Sequence, residues 1–229
     1  MLQDAILKFN SWWLTGQIPN RFVWPRKRFF FEKLITHFDS PHILLLTGLR
    51  RTGKTVLIYQ SIDQLLHRGI PSDNIFYFSF EDFPGENLNE LIESYQQITL
   101  PKGRVYCFFD EIHYLRNWSN QIKFYYDQKV EIKFLVTGSS SHLLFKATSE
   151  SLAGRVNILP LYPMNFIEYL HLNDITLPKI PNLDASNISN IVKKKLSLLS
   201  FKEQHQQEFQ TYLKFGGIPE YLDKSMKIE

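Results

Sequence analysis

One stretch constrains this chain more than any other: residues 42 to 56, His-Ile-Leu-Leu-Leu-Thr-Gly-Leu-Arg-Arg-Thr-Gly-Lys-Thr-Val. The apolar run from Ile43 to Leu46 reads as a buried strand. It leads directly into Gly48, four variable residues and Gly53-Lys54-Thr55, the full phosphate-loop pattern. Glycines let such a loop wrap until successive backbone N–H groups face an anion that side chains would obstruct. The residues that follow carry Ile58, Ile62, Leu65 and Leu66 at i, i+4, i+7 and i+8, which predicts a helix with one apolar face. Strand, glycine loop and helix in that order commit the chain to an α/β fold with an anion site at a helix N-terminus.

The candidate nucleotide-binding segment is therefore Gly48, Leu49, Arg50, Arg51, Thr52, Gly53, Lys54, Thr55 and Val56. Lys54 is placed to reach the β and γ phosphates of a nucleoside triphosphate, and the Thr55 hydroxyl to ligate Mg²⁺. Arg50 and Arg51 occupy variable positions, where only peripheral contact is expected.

At 229 residues the chain fits one sizeable domain, or one domain with a small appendage. A hydrophobic content of 44% supports a substantial core, yet no apolar run reaches the length of a membrane span. The first residues, Met-Leu-Gln-Asp, lack the basic and apolar regions of a signal peptide, so a soluble cytoplasmic protein is expected. The single Cys107 excludes an internal disulfide and falls inside an apolar run, where a small core residue is expected. A net charge of +3 permits a nucleic-acid partner without arguing for one.

In chain order, residues 2 to 14 carry Leu2, Ile6, Leu7, Phe9, Trp13 and Leu14 at helical spacing, ended by Gly16 and Pro19. The basic run from Arg21 to Arg28 is interleaved with Phe22 and Trp24. Cations on phosphates and rings on bases would suit nucleic acid; the favoured expectation is that the rings pack and the charges face water. Residues 27 to 39 read as a helix. Strands are expected at 74–80, 104–109, 131–136 and 156–161, with helices at 88–98 and 118–126 between them. Alternation of this kind predicts a five-stranded parallel sheet covered by helices on both faces. Past residue 163, helix-like pieces at 165–172, 189–199 and 204–215 and a polar linker at 177–186 predict a small helical appendage. The expected organisation is an N-terminal helical segment (1–40), the phosphate-loop core (41–162) and the appendage (163–229).

The second chemical motif is Phe-Phe-Asp110-Glu111 at the end of a predicted strand. There Asp110 can hold Mg²⁺, and Glu111 can act as general base toward the water that attacks the γ phosphate. After the fourth strand, Thr137-Gly-Ser139-Ser140 offers a hydroxyl to the γ phosphate or to the attacking water. Arg155, just before the fifth strand, is equally well read as an arginine presented to a neighbouring subunit's nucleotide or as an ordinary strand-flanking residue. His113 is close enough in sequence to face the site.

Taken together, Thr47-Gly-Leu-Arg-Arg-Thr-Gly-Lys-Thr55, Phe109-Asp-Glu-Ile-His113, Val136-Thr-Gly-Ser-Ser140, Leu152-Ala-Gly-Arg155, Leu159-Pro-Leu-Tyr-Pro-Met-Asn-Phe166 and Phe215-Gly-Gly-Ile-Pro-Glu220 resemble a family. It is the AAA-type ATPases of bacteria and archaea with a C-terminal domain of unknown function, kin to archaeal ATPases near the origin-recognition proteins. The resemblance spans about residues 20 to 222. It implies a fourth strand lying between the phosphate-loop strand and the acidic strand, ATP and Mg²⁺ as cofactors, a sensor role near Ser139 and an arginine finger at Arg155. It also implies a further C-terminal domain, missing or shortened in this chain. The expected activity is ATP hydrolysis coupled to a conformational change, with self-association and a DNA or protein partner left open. An ATP-gated binding module with negligible turnover is the alternative; a helicase fragment ranks below it, because 229 residues cannot hold two motor domains.

Overall fold

The sheet is built from strands whose residues alternate between two cores. In β1 (Ile43–Gly48), Ile43 and Leu45 enter one apolar layer while Leu44 and Leu46 enter the other. Every β1 residue is buried, as expected of a central strand in a parallel sheet covered on both faces. The same division runs through β2 (Ile75–Ser79), β3 (Val105–Asp110), β4 (Ile132–Ser139) and β5 (Val156–Leu161). Phe76, Cys107, Phe109, Phe134 and Val136 face one side; Tyr77, Phe108, Leu135 and Leu159 face the other. The computed structural model that shows this describes residues 2–22, 24–84, 86–128, 131–139, 151–175, 203 and 205–222.

The strands are all parallel, in the order β2-β3-β4-β1-β5. Helices α5 (Leu88–Thr99) and α6 (Trp118–Asp127) cover one face; α3 (Phe30–Thr36) and α4 (Lys54–His67) cover the other. The expected five-stranded parallel α/β sheet is what the chain forms, with β4 between β1 and β3.

The N-terminal segment departs from the expected single helix. It is split into α1 (Leu2–Phe9) and α2 (Trp12–Thr15), and the reason lies 67 residues away. The Asn10 side chain pairs with the backbone of Tyr77 on the edge strand β2, donating to its carbonyl at 2.9 Å and accepting from its N–H at 2.7 Å. The indole N–H groups of Trp12 and Trp13 both donate to the Ile75 carbonyl, at 3.2 and 2.8 Å. Side chains thus satisfy an open sheet edge that would otherwise invite pairing with another chain. Leu14, counted on the apolar face from sequence, is 88% exposed.

The basic run also needs correction. Phe22 stacks on Tyr59 at 4.8 Å, as the packing expectation had it, but the charges do not all face water. Lys27 donates to Gln64 Oε1 at 3.0 Å and lies over the Phe31 ring. Arg28 is 8% exposed and donates to the Thr52 and Tyr162 carbonyls, at 2.9 and 3.0 Å. Helix α3 starts later than the 27–39 expected, with Lys27 and Arg28 engaged in this packing, and it ends at Thr36.

The chain divides into two compact units, residues 1–162 and 163–229. The second contains α7 (Phe166–Leu172), α8 (Gln206–Phe215) and a small cluster of Met164, Tyr169, Leu170 and Leu222. Its glycine pair has a local cause: Gly217 receives the Met164 N–H at 2.8 Å, and a Cβ there would meet the Met164 carbonyl oxygen at 2.3 Å. The helix expected at 189–199 and the linker at 177–186 lie outside the described residues. Among the described residues no helix is long and apolar enough to cross a membrane.

Candidate functional site

The site is assembled where β1, β3 and β4 end. The loop after β1 turns tightly against β5: a Cβ on Gly48 would lie 2.6 Å from the Leu161 carbonyl oxygen, so only glycine fits. Arg51 and Gly53 take left-handed backbone angles (φ 67° and 93°), the curvature that gathers backbone N–H groups around an anion. Thr52 is fully buried and its hydroxyl donates to the Leu49 carbonyl at 2.8 Å, closing the loop from within. From outside, Arg28 holds the Thr52 carbonyl. Arg50, at the loop's exposed crest, pairs with Glu81.

Helix α4 begins at Lys54 with no side-chain cap and no acid in its first turn. Its positive end is therefore left for an anion. Lys54 itself is 4% exposed and folds back to donate to the Gly48 and Leu49 carbonyls, both at 3.2 Å. These are long bonds for an ammonium, the kind a phosphate can displace.

At the tip of β3, Asp110 is buried and hydrogen-bonded on both oxygens. Thr55 donates to Oδ2 at 2.6 Å, Thr137 donates to Oδ1, and the Tyr77 hydroxyl reaches Oδ2 at 3.4 Å. Burial pushes the Asp110 carboxyl above the usual carboxylate range; the bonds from Thr137 and Thr55 work against that, Glu111 adds to it, and Lys54 opposes it. Burial, with Asp110 beside it, pushes the Tyr77 hydroxyl well above its ordinary value, so it stays a neutral donor.

Glu111 leaves the strand in a left-handed conformation (φ 49°, ψ 50°). Its backbone N–H donates to Thr137 Oγ1 at 3.0 Å. Its carboxylate stands 3.4 Å from Lys54 Nζ on one side and 3.3 Å from His113 Nδ1 on the other. Ser139 ends β4 in register with Gly48, beside the loop.

Most of the residues singled out from sequence thus converge: Gly48 to Thr55, Asp110, Glu111 and Ser139 share one end of the sheet. Arg155 does not join them within the chain. It precedes β5 at the level of Ile43, whose N–H its carbonyl accepts, at the opposite end of β1. There its guanidinium pairs with Asp127 at 2.7 Å. Three contributors escaped sequence reading: Thr137, taken only as part of a polar tip, Arg28, taken as surface, and Tyr77, taken as strand filler. Only Thr137 leaves a trace in sequence, as a hydroxyl closing the apolar run Phe134-Leu-Val136.

Comparison with known proteins decides the family. Residues 40–170 match the AAA domain. The chain belongs to that family. This AAA domain is 30% identical to an uncharacterized protein of Haemophilus influenzae over 198 residues, covering 83% of this chain and 42% of the relative. It is 30% identical over 238 residues to an uncharacterized protein of Methanocaldococcus jannaschii, covering 97% of this chain and 48% of that one. A second protein of the same archaeon is 32% identical over 195 residues, with 82% and 38% covered. The chain spans two-fifths to half the length of these relatives. Among solved structures it is similar in fold to the Aeropyrum pernix ORC1 protein in complex with DNA (TM-score 0.49, 13% identity, 80% of this chain and 58% of that one). It is also similar to C. elegans PCH-2 (TM-score 0.41, 20% identity, 63% and 42% covered). At those scores neither bears on what this chain binds.

Proposed function

We propose that this AAA domain binds ATP with Mg²⁺ and hydrolyses it, driving a conformational change in an attached domain or a partner. The supporting observation is the meeting of the two motifs: Thr55 Oγ1 lies 2.6 Å from Asp110 Oδ2 although 55 residues separate them. The donor set fits the metal. A hydroxyl and a carboxylate are hard oxygen ligands, and Mg²⁺ takes one or two protein oxygens and completes its shell with water and phosphate. Among the described residues no group of three or more His, Cys, Asp or Glu forms a cage that would serve a metal without nucleotide. Held by Thr55 and Asp110, Mg²⁺ would neutralise charge on the phosphates.

The chain's own residues divide the remaining work. Lys54 exchanges its two long loop bonds for phosphate oxygens, where an ammonium donor is stronger. That exchange releases Glu111 from Lys54, leaving the carboxylate to take a proton from the attacking water as general base. Ser139, in register with Gly48, would offer its hydroxyl toward the γ phosphate. The backbone of residues 48–55 and the start of α4 cradle the anion.

The Lys54–Glu111 pair also favours a second reading, an ATP-gated binding module that turns over negligibly, with the base held back by the lysine. Binding of a fluorescent ATP analogue, measured beside phosphate release in the same preparation, separates the two. Tight Mg²⁺-dependent binding with steady phosphate release supports hydrolysis; tight binding without release supports the module. No binding overturns both. Arg155 enters this scheme only between copies of the chain, and only by leaving Asp127. Turnover per chain that rises with protein concentration, and loses that rise in Arg155→Ala, would place it there.

A further inference from the structure

We infer that Thr137 is the positioning residue for both acids of the site, one hydroxyl setting where Asp110 can hold a metal and where Glu111 stands. The inference rests on the ATP and Mg²⁺ reading above and assigns a role to a residue outside both sequence motifs.

A hydroxyl can act in two ways. It carries one proton to donate and lone pairs to accept. Thr137 is fully buried in β4, the strand that lies between the phosphate-loop strand and the acidic strand. Its proton goes to Asp110 Oδ1, and its oxygen accepts the Glu111 N–H at 3.0 Å. Both capacities are used, and both partners belong to the neighbouring strand's tip.

Each bond has a separate consequence. With Oδ1 engaged by Thr137, the carboxylate of Asp110 cannot rotate freely, and Oδ2 is the oxygen left beside Thr55. That is the side on which a metal shared with Thr55 would sit. The bond to the Glu111 N–H fixes a turn that is costly in itself, because φ 49° is a left-handed angle for a residue with a side chain. Without it, the direction in which the Glu111 carboxylate leaves β3 is no longer set. Packing alone does not require a hydroxyl here: valine has the same branched shape and the same preference for strands. Valine would, however, leave Asp110 Oδ1 and the Glu111 N–H buried without these partners.

The test compares Thr137→Val with Thr137→Ser in the 229-residue chain. Mn²⁺, a spectroscopically visible stand-in for Mg²⁺, is titrated into protein carrying a non-hydrolysable ATP analogue, and analogue affinity is measured separately in EDTA. Loss of an outer partner of a metal ligand characteristically costs about ten- to a hundredfold in metal affinity, and that fall is expected for Thr137→Val. Analogue affinity in EDTA is expected to stay at the wild-type value, because the bonds of the Thr137 hydroxyl go to the two acids at the tip of β3. Thr137→Ser keeps the hydroxyl and is expected to bind Mn²⁺ as wild type does. Should Thr137→Val not fold, Thr137→Cys, whose thiol donates only weakly, is expected to show an intermediate loss. Wild-type Mn²⁺ affinity in the valine (or cysteine) variant, or a serine variant as impaired as valine, overturns the inference. A wild-type chain that binds no analogue overturns the ATP reading, and this role with it. A wild-type chain that binds but does not hydrolyse leaves the Mn²⁺ comparison fully decisive.

Discussion

Two lysines are buried to almost the same degree at opposite ends of the sheet, and their surroundings could hardly differ more. Lys54, 4% exposed, has two carbonyl bonds of 3.2 Å and a carboxylate at 3.4 Å. Lys133, 3% exposed near the start of β4, donates to the His37, Ser40 and His42 carbonyls at 3.0, 2.6 and 2.7 Å. Its three donors have three good acceptors, gathered from the end of α3 and the approach to β1. Even so, burial, with the Arg104 guanidinium nearby, lowers the Lys133 ammonium to about 8, so carbonyl dipoles offset only part of its lost hydration. The lesson is one of commitment. Lys133 closes a structural joint; Lys54 is held loosely enough to change partners, as the phosphate ligand proposed above must.

Four substitutions test this difference. The largest effect is expected at the loose end, in Glu111→Gln. The shape beside Lys54 is kept and the base removed, so phosphate release should fall about a hundredfold or more while ATP affinity holds. Equal release from variant and wild type would move the base elsewhere.

Next is Lys54→Ala, expected to weaken ATP binding by about ten- to a hundredfold through loss of charge-assisted bonds, with little change in melting temperature. Calorimetric titration alongside a thermal melt checks both halves. A variant that loses stability but keeps affinity would reverse the roles of the two lysines.

Lys133→Met should show the opposite pattern. Three buried carbonyls lose their donor, which costs about 2 kcal/mol, or about 4–8 °C in Tm for a chain of this size. Folded variant should bind ATP normally. The pH dependence sharpens this. The folded-state value lies below the ordinary lysine value, so the unfolded chain binds the extra proton between about pH 8 and that value. Wild-type stability should therefore gain on that of Lys133→Met as pH rises through the window, read from denaturant melts.

The smallest effect on stability is expected from Asp110→Asn. The folded-state carboxyl lies above its unfolded value, so its contribution to stability falls as pH rises through that interval and stays unfavourable above it. Asparagine removes the buried charge and should raise stability at neutral pH by about 1 kcal/mol while abolishing Mg²⁺-dependent nucleotide binding. A variant that melts lower than wild type would show that the threonine bonds outweigh the burial.

Much of the fold was legible in the residues themselves, and for local reasons. The loop from Gly48 to Thr55 announces itself because its backbone demands glycine at fixed places, as the close approach to Leu161 and the positive φ of Gly53 bear out. The five strands were readable as apolar runs, and α4 by its 3.6-residue period, because a strand or helix covered by a core repeats its burial along a few residues. Asp110 and Glu111 were readable as the end of a strand, because acids interrupt an apolar run, and β3 does end at Asp110.

Relations between segments far apart in the chain were settled by packing alone. Asn10 breaks the first helix to pair with Tyr77; Arg28 leaves a basic run to brace the loop; Lys133 gathers carbonyls more than 90 residues away. Thr137 became a partner of both acids only when the strand order set β4 against β3. A single polar residue in an apolar stretch carries no record of which distant group it will meet. That is settled when packing brings the strands together and every buried donor and acceptor must find a partner there.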